Sequence, residues 1–197
     1  MSRNLPPYDS DTGIPPKIKS ISTTLKWAGW LGFWVQLLTG VVSIVFLIVA
    51  AASNFSAPTQ ATQGTEIGIF FAICALVCLA VSIYFYFRYT KLSLLLFHPN
   101  PAVRPNKSDT IKFIKLGLLV NITGTALAIV GTQSVVGVIL IFKAAVQNPL
   151  TLGTNQNTST LVLPADMFNI TANTATVTAH FFGLLVTLWL LNRIENK

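Results

Sequence analysis

Between Lys115 and Lys143 the chain runs 27 residues without a formal charge, inside the stretch IKFIKLGLLVNITGTALAIVGTQSVVGVILIFK (Ile111–Lys143). At helical rise this is about 40 Å, more than the roughly 30 Å hydrocarbon core of a bilayer, so it predicts a membrane-spanning helix with length to spare. Gly117, Gly124 and Gly131 recur every seven residues and fall near one face, where another backbone is expected to come close. Asn121 and Gln133 interrupt the apolar run. Lipid offers amides no hydrogen bonds, so both are expected to find partners on neighbouring helices, making this helix the central post of a bundle. Whether it is straight or broken near Gly131–Ser134 stays open.

With 52% hydrophobic and 10% charged residues, the chain reads as a small polytopic membrane protein rather than a soluble domain. Its +7 net charge does not point to nucleic acid, because the basic residues sit at the ends of apolar segments and not on a polar face. Residues 1–26 carry four prolines and no hydrophobic period and are expected to form a flexible tail. Three further spans follow from hydropathy: about 27–53, 67–87 and 170–191, with the central one at about 113–142. Ala50–Ser53 resembles a signal-peptidase site, but the preceding apolar run is longer than the 7–15 residues of a cleaved signal, so the first span is expected to be retained. Lys91–Phe97 can continue the second helix onto the membrane surface until the prolines of HPNPAVRP stop it. Ser108 or Asp109 is the expected N-cap of the third helix, and Pro164 the expected first turn of the fourth.

Charge placement predicts orientation. Four basic residues precede span one, six lie between spans two and three, and two follow span four, leaving Lys143 alone on the other side. The positive-inside rule puts both termini and the middle loop on the cytoplasmic side, or the stromal side in a plastid. The fold class is thus an all-α bundle of four transmembrane helices.

Depth along the helices suggests a polar interior. Gln36 and Asn121 each sit about 10 Å in from the basic side and are candidates for one interhelical hydrogen bond. Asn173, Thr176, His180, Gly183 and Thr187 follow helical spacing and form one polar, small-residue stripe that should face protein or a cavity. Cys74 and Cys78 lie four apart on one helix, with His180 at matching depth, and together hold soft ligands suited to a transition metal. The alternative is that both cysteines fill space and His180 bonds to a threonine or a backbone carbonyl. Ligation of a porphyrin or chlorin by His180 would rest on a single ligand with no supporting motif, and no resident cofactor is expected. Glu66 and Asp166, both near the outer face, could gather cations at an entrance or simply be solvated. No acidic residue lies within a span, and no phosphate loop, nucleophile motif or carboxylate pair is present, so no enzyme is expected.

Three blocks carry a family resemblance: LGFWVQL (Leu31–Leu37), GLLVNITGTALAIVGTQSVVG (Gly117–Gly137) followed by Lys143, Asn148 and Pro149, and NTATVTAHFFGLL (Asn173–Leu185). In order and spacing they resemble the chloroplast inner-envelope Tic-twenty-one or permease-in-chloroplasts family, over about residues 25–195. The resemblance implies a four-helix inner-membrane protein with one of two roles, a subunit associated with a protein translocon or an iron permease. Gln36, Asn121, Gln133, Asn173 and His180 are its family-like polar positions within the membrane. The short tail is similar to that of a cyanobacterial member, for which the expected site is the plasma or thylakoid membrane. The role favoured here is an accessory scaffold for translocation or membrane-complex assembly, with iron as a transported ion in the alternative. The expected partners are the lipid bilayer and other membrane proteins, a second copy of the chain among them, and not nucleic acid.

Overall fold

The structure, a computed structural model, describes residues 15–56, 63–98, 100–146 and 164–195. They form four long helices, α1 (Pro16–Ser56), α2 (Gln63–Leu96), α3 (Lys107–Val146) and α4 (Pro164–Glu195), with a short 3-10 turn at Pro101–Val103 between α2 and α3. Each of the four is long and apolar enough to cross a membrane. Neighbours pair in the cyclic order α1, α2, α3, α4, and α2 also meets α4 across the diagonal. Successive helices run antiparallel, which brings the start of α1 beside the end of α2, where Ser22 and Ser93 each donate a side-chain hydrogen bond to the other's carbonyl at 2.8 and 2.9 Å. All of the basic residues placed in α1, α2 and α4, and most of those in α3, thereby gather at or near one end.

The helices extend beyond the spans that hydropathy predicts. Residues 16–26, expected as tail, are the first turns of α1, while residues 1–14 lie outside the described part. The second helix does continue through Lys91, ending at Leu96 where Phe97 and His98 bond back to Leu94 and Leu95 in 3-10 fashion before the prolines. Ser108 and Asp109 are not N-caps: α3 starts at Lys107, and Asn106, just before it, accepts from the Thr110 amide at 3.0 Å. Pro164 opens α4 as expected, so residues 164–169 are helix and not loop. The helix α3 is unbroken through Gly131–Ser134. The Ser134 hydroxyl there bonds the Gly131 carbonyl and that of Thr132 the Ala128 carbonyl, keeping both polar side chains on their own helix.

Buried positions alternate by three and four along α2, α3 and α4, and nearly so along α1. On α3 they are Ile114, Gly117, Asn121, Gly124, Ala128, Gly131 and Val135; on α4, Asp166, Asn169, Asn173, Thr176, His180, Gly183, Thr187, Leu190 and Ile194. On α2 the run is Gly68, Ala72, Ala75, Leu79, Ser82, Tyr86, Tyr89, Ser93 and Leu96. A period of 3.5 is the left-handed packing of coiled coils and four-helix bundles. What differs from a soluble bundle is who occupies the seam. Large apolar side chains such as Trp30, Leu38, Phe70, Val77 and Phe181 face outward, about half exposed or more, while small and polar residues face in. Apolar outside is what a lipid solvent selects, and small residues at the seam let helices approach without a hydrophobic drive between them.

The apolar part of the core is divided. At the basic end Leu25, Phe85, Tyr86, Tyr89, Ile114, Leu190 and Ile194 pack together, and at the other end Leu47, Ala72 and Ala172 do so, with Phe46 and Ile69 against them. Lys115 and Glu195 form an ion pair at 3.6 Å at the basic end, with both side chains about half exposed. Such a pair contributes at most about 0.5 kcal/mol, so Lys115→Ala is expected to leave the unfolding midpoint in detergent almost unmoved. A drop of several degrees would show that the pair ties α3 to α4.

Candidate functional site

The most heavily connected polar layer is centred on Asn121. Its Oδ1 accepts from Gln36 Nε2 at 2.8 Å and from Ser82 Oγ at 3.0 Å, and His180 Nδ1 lies 3.0 Å away. Its Nδ2 donates to the Gly117 carbonyl one turn back, at 3.0 Å. One side chain from each of the other three helices therefore converges on a single α3 carbonyl oxygen. His180 Nε2 lies 3.2 Å from the Ala75 carbonyl, so each ring nitrogen faces an oxygen, and a neutral imidazole, with one N–H, can donate to only one of them at a time. Gln36, Asn121 and His180 are all 0–1% exposed, deep enough that no bulk water competes for these bonds.

Further polar layers stack along the axis. Toward the basic end, Tyr86 Oη donates to the Gly183 carbonyl at 2.6 Å and lies 2.8 Å from Thr187 Oγ1. Toward the other end, Ser43 Oγ donates to the Ala172 carbonyl at 2.8 Å and lies 2.6 Å from Thr176 Oγ1. Beyond it, Asn173 Nδ2 donates to Asn169 Oδ1 at 2.8 Å and reaches the Gly68 carbonyl only at 3.4 Å. From Thr187 to Asp166 this file of buried polar residues covers 21 positions, about 32 Å, the full thickness of a hydrocarbon core. Three buried atoms on it, Gln36 Oε1, Asn173 Oδ1 and Tyr89 Oη, have no hydrogen-bond partner among the described residues.

The glycines serve this file differently from the expectation. A Cβ on Gly117 would meet the Tyr89 hydroxyl, one on Gly124 the His180 ring, and one on Gly131 Asn173 Oδ1 at 2.5 Å. Gly183 likewise makes room for Gln36 Nε2 and for Asn121 Oδ1 at 2.5 Å. Gly117, Gly124 and Gly183 accommodate polar side chains rather than a neighbouring backbone, and Gly131 does both. True backbone approach occurs at Gly29, where a Cβ would lie 2.9 Å from the Tyr86 carbonyl, and at Gly68, 3.2 Å from that of Gly131.

The sequence-derived site residues divide accordingly. The pairing of Gln36 with Asn121 is present, and the α4 stripe of Asn173, Thr176, His180, Gly183 and Thr187 is buried throughout. Gln133 is not in the network. It lies midway between the inward positions Gly131 and Val135 and is exposed, about 27 Å along α3 from Lys115, where the hydrocarbon gives way to headgroups and an amide can be hydrated. Cys74, Cys78 and His180 do not assemble into a metal site. Both cysteines are free and only half buried, off the α2 seam formed by Ala75, Leu79 and Ser82, and His180 meets the Ala75 carbonyl instead. Among the described residues no group of three His, Cys, Asp or Glu side chains is placed to hold a metal. Glu66 is exposed, whereas Asp166 is 1% exposed and partnered, so the two do not form a solvated acidic entrance. Residue type alone does not mark Ser43, Ser82 or Asn169 as site residues, and Tyr86 and Tyr89, which belong to the aromatic and basic run Tyr84–Tyr89 that reads as an interface belt, are buried in the bundle instead. Ser82 and Tyr86 repeat the 3.5 spacing of Ala75 and Leu79, and that period was the available signal.

Comparison with known proteins fits this architecture. The chain is 32% identical over 186 residues to Protein TIC 21, chloroplastic, of Arabidopsis thaliana, an alignment covering 92% of this chain and 60% of that protein. The chain thus spans about three fifths of that relative's length. No solved structure matches it. Residues 15–195, which include all four helices and the whole polar file, match the family described as Protein of unknown function (DUF3611), and the chain belongs to that family, in keeping with its Tic-twenty-one-like sequence blocks.

Proposed function

We propose that this protein is an accessory scaffold of the membrane, holding or assisting other membrane proteins in translocation or complex assembly. The observation that carries the reading is where its polar groups are engaged. His180, Asn121 and Gln36 bond to one another and to backbone carbonyls, and the two thiols stand off the seam. The one imidazole that would serve a metal route therefore acts as internal glue, and the thiols are not aimed at it. The outer surface, in contrast, carries a groove of about 520 Å³ between α1 and α4, lined by Trp27, Trp30, Trp34 and Trp189, the four tryptophans of the chain. Large exposed aromatics gathered on one face suit contact with a transmembrane helix of a partner.

Both termini and the Arg104 loop are assigned to the cytoplasmic or stromal side on charge placement. A permease for iron or another divalent metal remains the second reading. It is favoured by the membrane-deep polar file and by the unpartnered acceptors Gln36 Oε1 and Asn173 Oδ1 on it.

Photocrosslinkers at Trp30 and Trp189 in native membranes are expected to capture a translocase or assembly-factor subunit, while proteoliposomes containing the purified protein take up no more iron than empty ones. Saturable iron uptake that His180→Ala abolishes, with no defined crosslink, would replace the scaffold by the permease.

A further inference from the structure

A second cavity, of about 300 Å³, lies at the basic end between the last turns of α2 and the first turns of α3, away from the polar file and from the tryptophan groove. Arg88 and Lys91 line it on α2, Asp109, Thr110 and Phe113 on α3, and Leu95 adds an apolar wall. Phe113 is fixed by Phe85 and Tyr89, with ring centroids 4.8 and 5.8 Å away. The Arg88 guanidinium stands over it at 5.8 Å, and the Lys91 ammonium over Phe87 at 4.7 Å. Arg88 is thus held over a ring of the cavity wall, whereas Lys91, which also lines the cavity, lies over Phe87 at its margin. Among the described residues neither cation has a carboxylate within ion-pair distance, and Asp109, although it lines the same cavity, pairs with neither.

We propose that this cavity binds an anionic lipid whose headgroup also carries hydroxyls, a phosphoglycerol or a sulfosugar. The phosphate or sulfonate sits between Arg88 and Lys91, where a planar guanidinium and an ammonium match its oxygens. Asp109 repels a bare dianion but accepts hydrogen bonds from the hydroxyls, with Thr110 beside it. Two cations and a carboxylate that line one cavity without pairing are the complement of a ligand with charge at one end and a polyol at the other. The lipid source follows from depth and lining. Arg88 is level with Phe113, just outside Gly117 and the hydrocarbon-facing part of α3, and Leu92, Leu95 and Phe113 supply a surface for the glycerol and the first methylenes.

The test uses the full chain in detergent, with lipid retention read by native mass spectrometry against phosphatidylglycerol, phosphatidic acid and phosphatidylcholine. Phosphatidylglycerol is expected to be retained best. Removing one cation, by Arg88→Gln or Lys91→Gln, should weaken retention about fivefold, and the double variant on the order of twentyfold. Lys107→Gln with Lys112→Gln, an equal loss of charge outside the cavity, should change it no more than about twofold. Asp109→Asn should erase the preference for phosphatidylglycerol over phosphatidic acid while the helix signal in circular dichroism is unchanged. Equal losses in the cavity and control doubles would reduce the effect to net charge and overturn the site. Displacement of the lipid by an equal concentration of inorganic phosphate would overturn the lipid assignment, and an unchanged preference in Asp109→Asn would overturn the hydroxyl contact.

Discussion

Gly124→Ala is expected to destabilise the bundle although alanine is the better helix former. In a helix interior the exchange alone favours folding by about 1 kcal/mol. Here the added methyl group points into the His180 imidazole, and that ring cannot swing aside without leaving Asn121 Oδ1 and the Ala75 carbonyl. Overpacking costs about 1–3 kcal/mol, and each interhelical hydrogen bond lost in a membrane a further ~0.6. The net expected loss is roughly 1–3 kcal/mol, and Gly124→Leu should prevent assembly. Gly137→Ala on the same helix meets nothing within 4 Å and should be neutral or stabilising by about 0.5–1 kcal/mol. The two midpoints measured side by side in denaturing detergent decide the matter. Equal shifts in the same direction would mean that His180 does not occupy the space over Gly124.

Asn121→Ala should cost more than any other truncation in the file. It removes at once the acceptor for Gln36 Nε2 and Ser82 Oγ and the oxygen facing His180 Nδ1, and leaves those groups buried with no water to turn to. An expected loss of roughly 2–5 kcal/mol follows from one to three such groups stranded in a low-dielectric core. Gln36→Ala alone removes one short bond and a 3.4 Å contact with the Ala179 carbonyl, so about 1–2 kcal/mol is expected. Because Gln36 and Asn121 share their bond, the double variant should lose less than the two single losses added together. An Asn121→Ala protein within 0.5 kcal/mol of the parent, or strictly additive losses, would remove Asn121 from the centre of the network.

The membrane class was legible because it depends on a property that no tertiary contact can alter. A backbone of 27 uncharged, largely apolar residues must satisfy its own hydrogen bonds in lipid, and the helix does so whatever its neighbours are. The α4 stripe was legible for a related reason: five polar or small residues at helical spacing in a lipid-facing segment have only one direction to turn. The start of α1 was less so, since residues 16–26 are polar enough to read as tail and are held as helix by tertiary contacts such as the Ser22–Ser93 pair.

From its sequence alone this chain is a four-span helical membrane protein with its basic residues gathered on one side, because desolvation of charge and of the peptide group depends on composition and length. Which polar residues turn inward was decided by the tertiary structure. Asn121 and Gln133 look alike along α3, yet the 3.5-residue seam carries one to the centre and leaves the other outside, and the same seam parts Cys74 and Cys78 from His180. Lipid and core are both apolar, so hydrophobicity does not distinguish the two faces of such a helix. The close fit of glycines under Tyr89, His180 and Asn173, together with the hydrogen bonds between helices, matches the register in which the four helices meet.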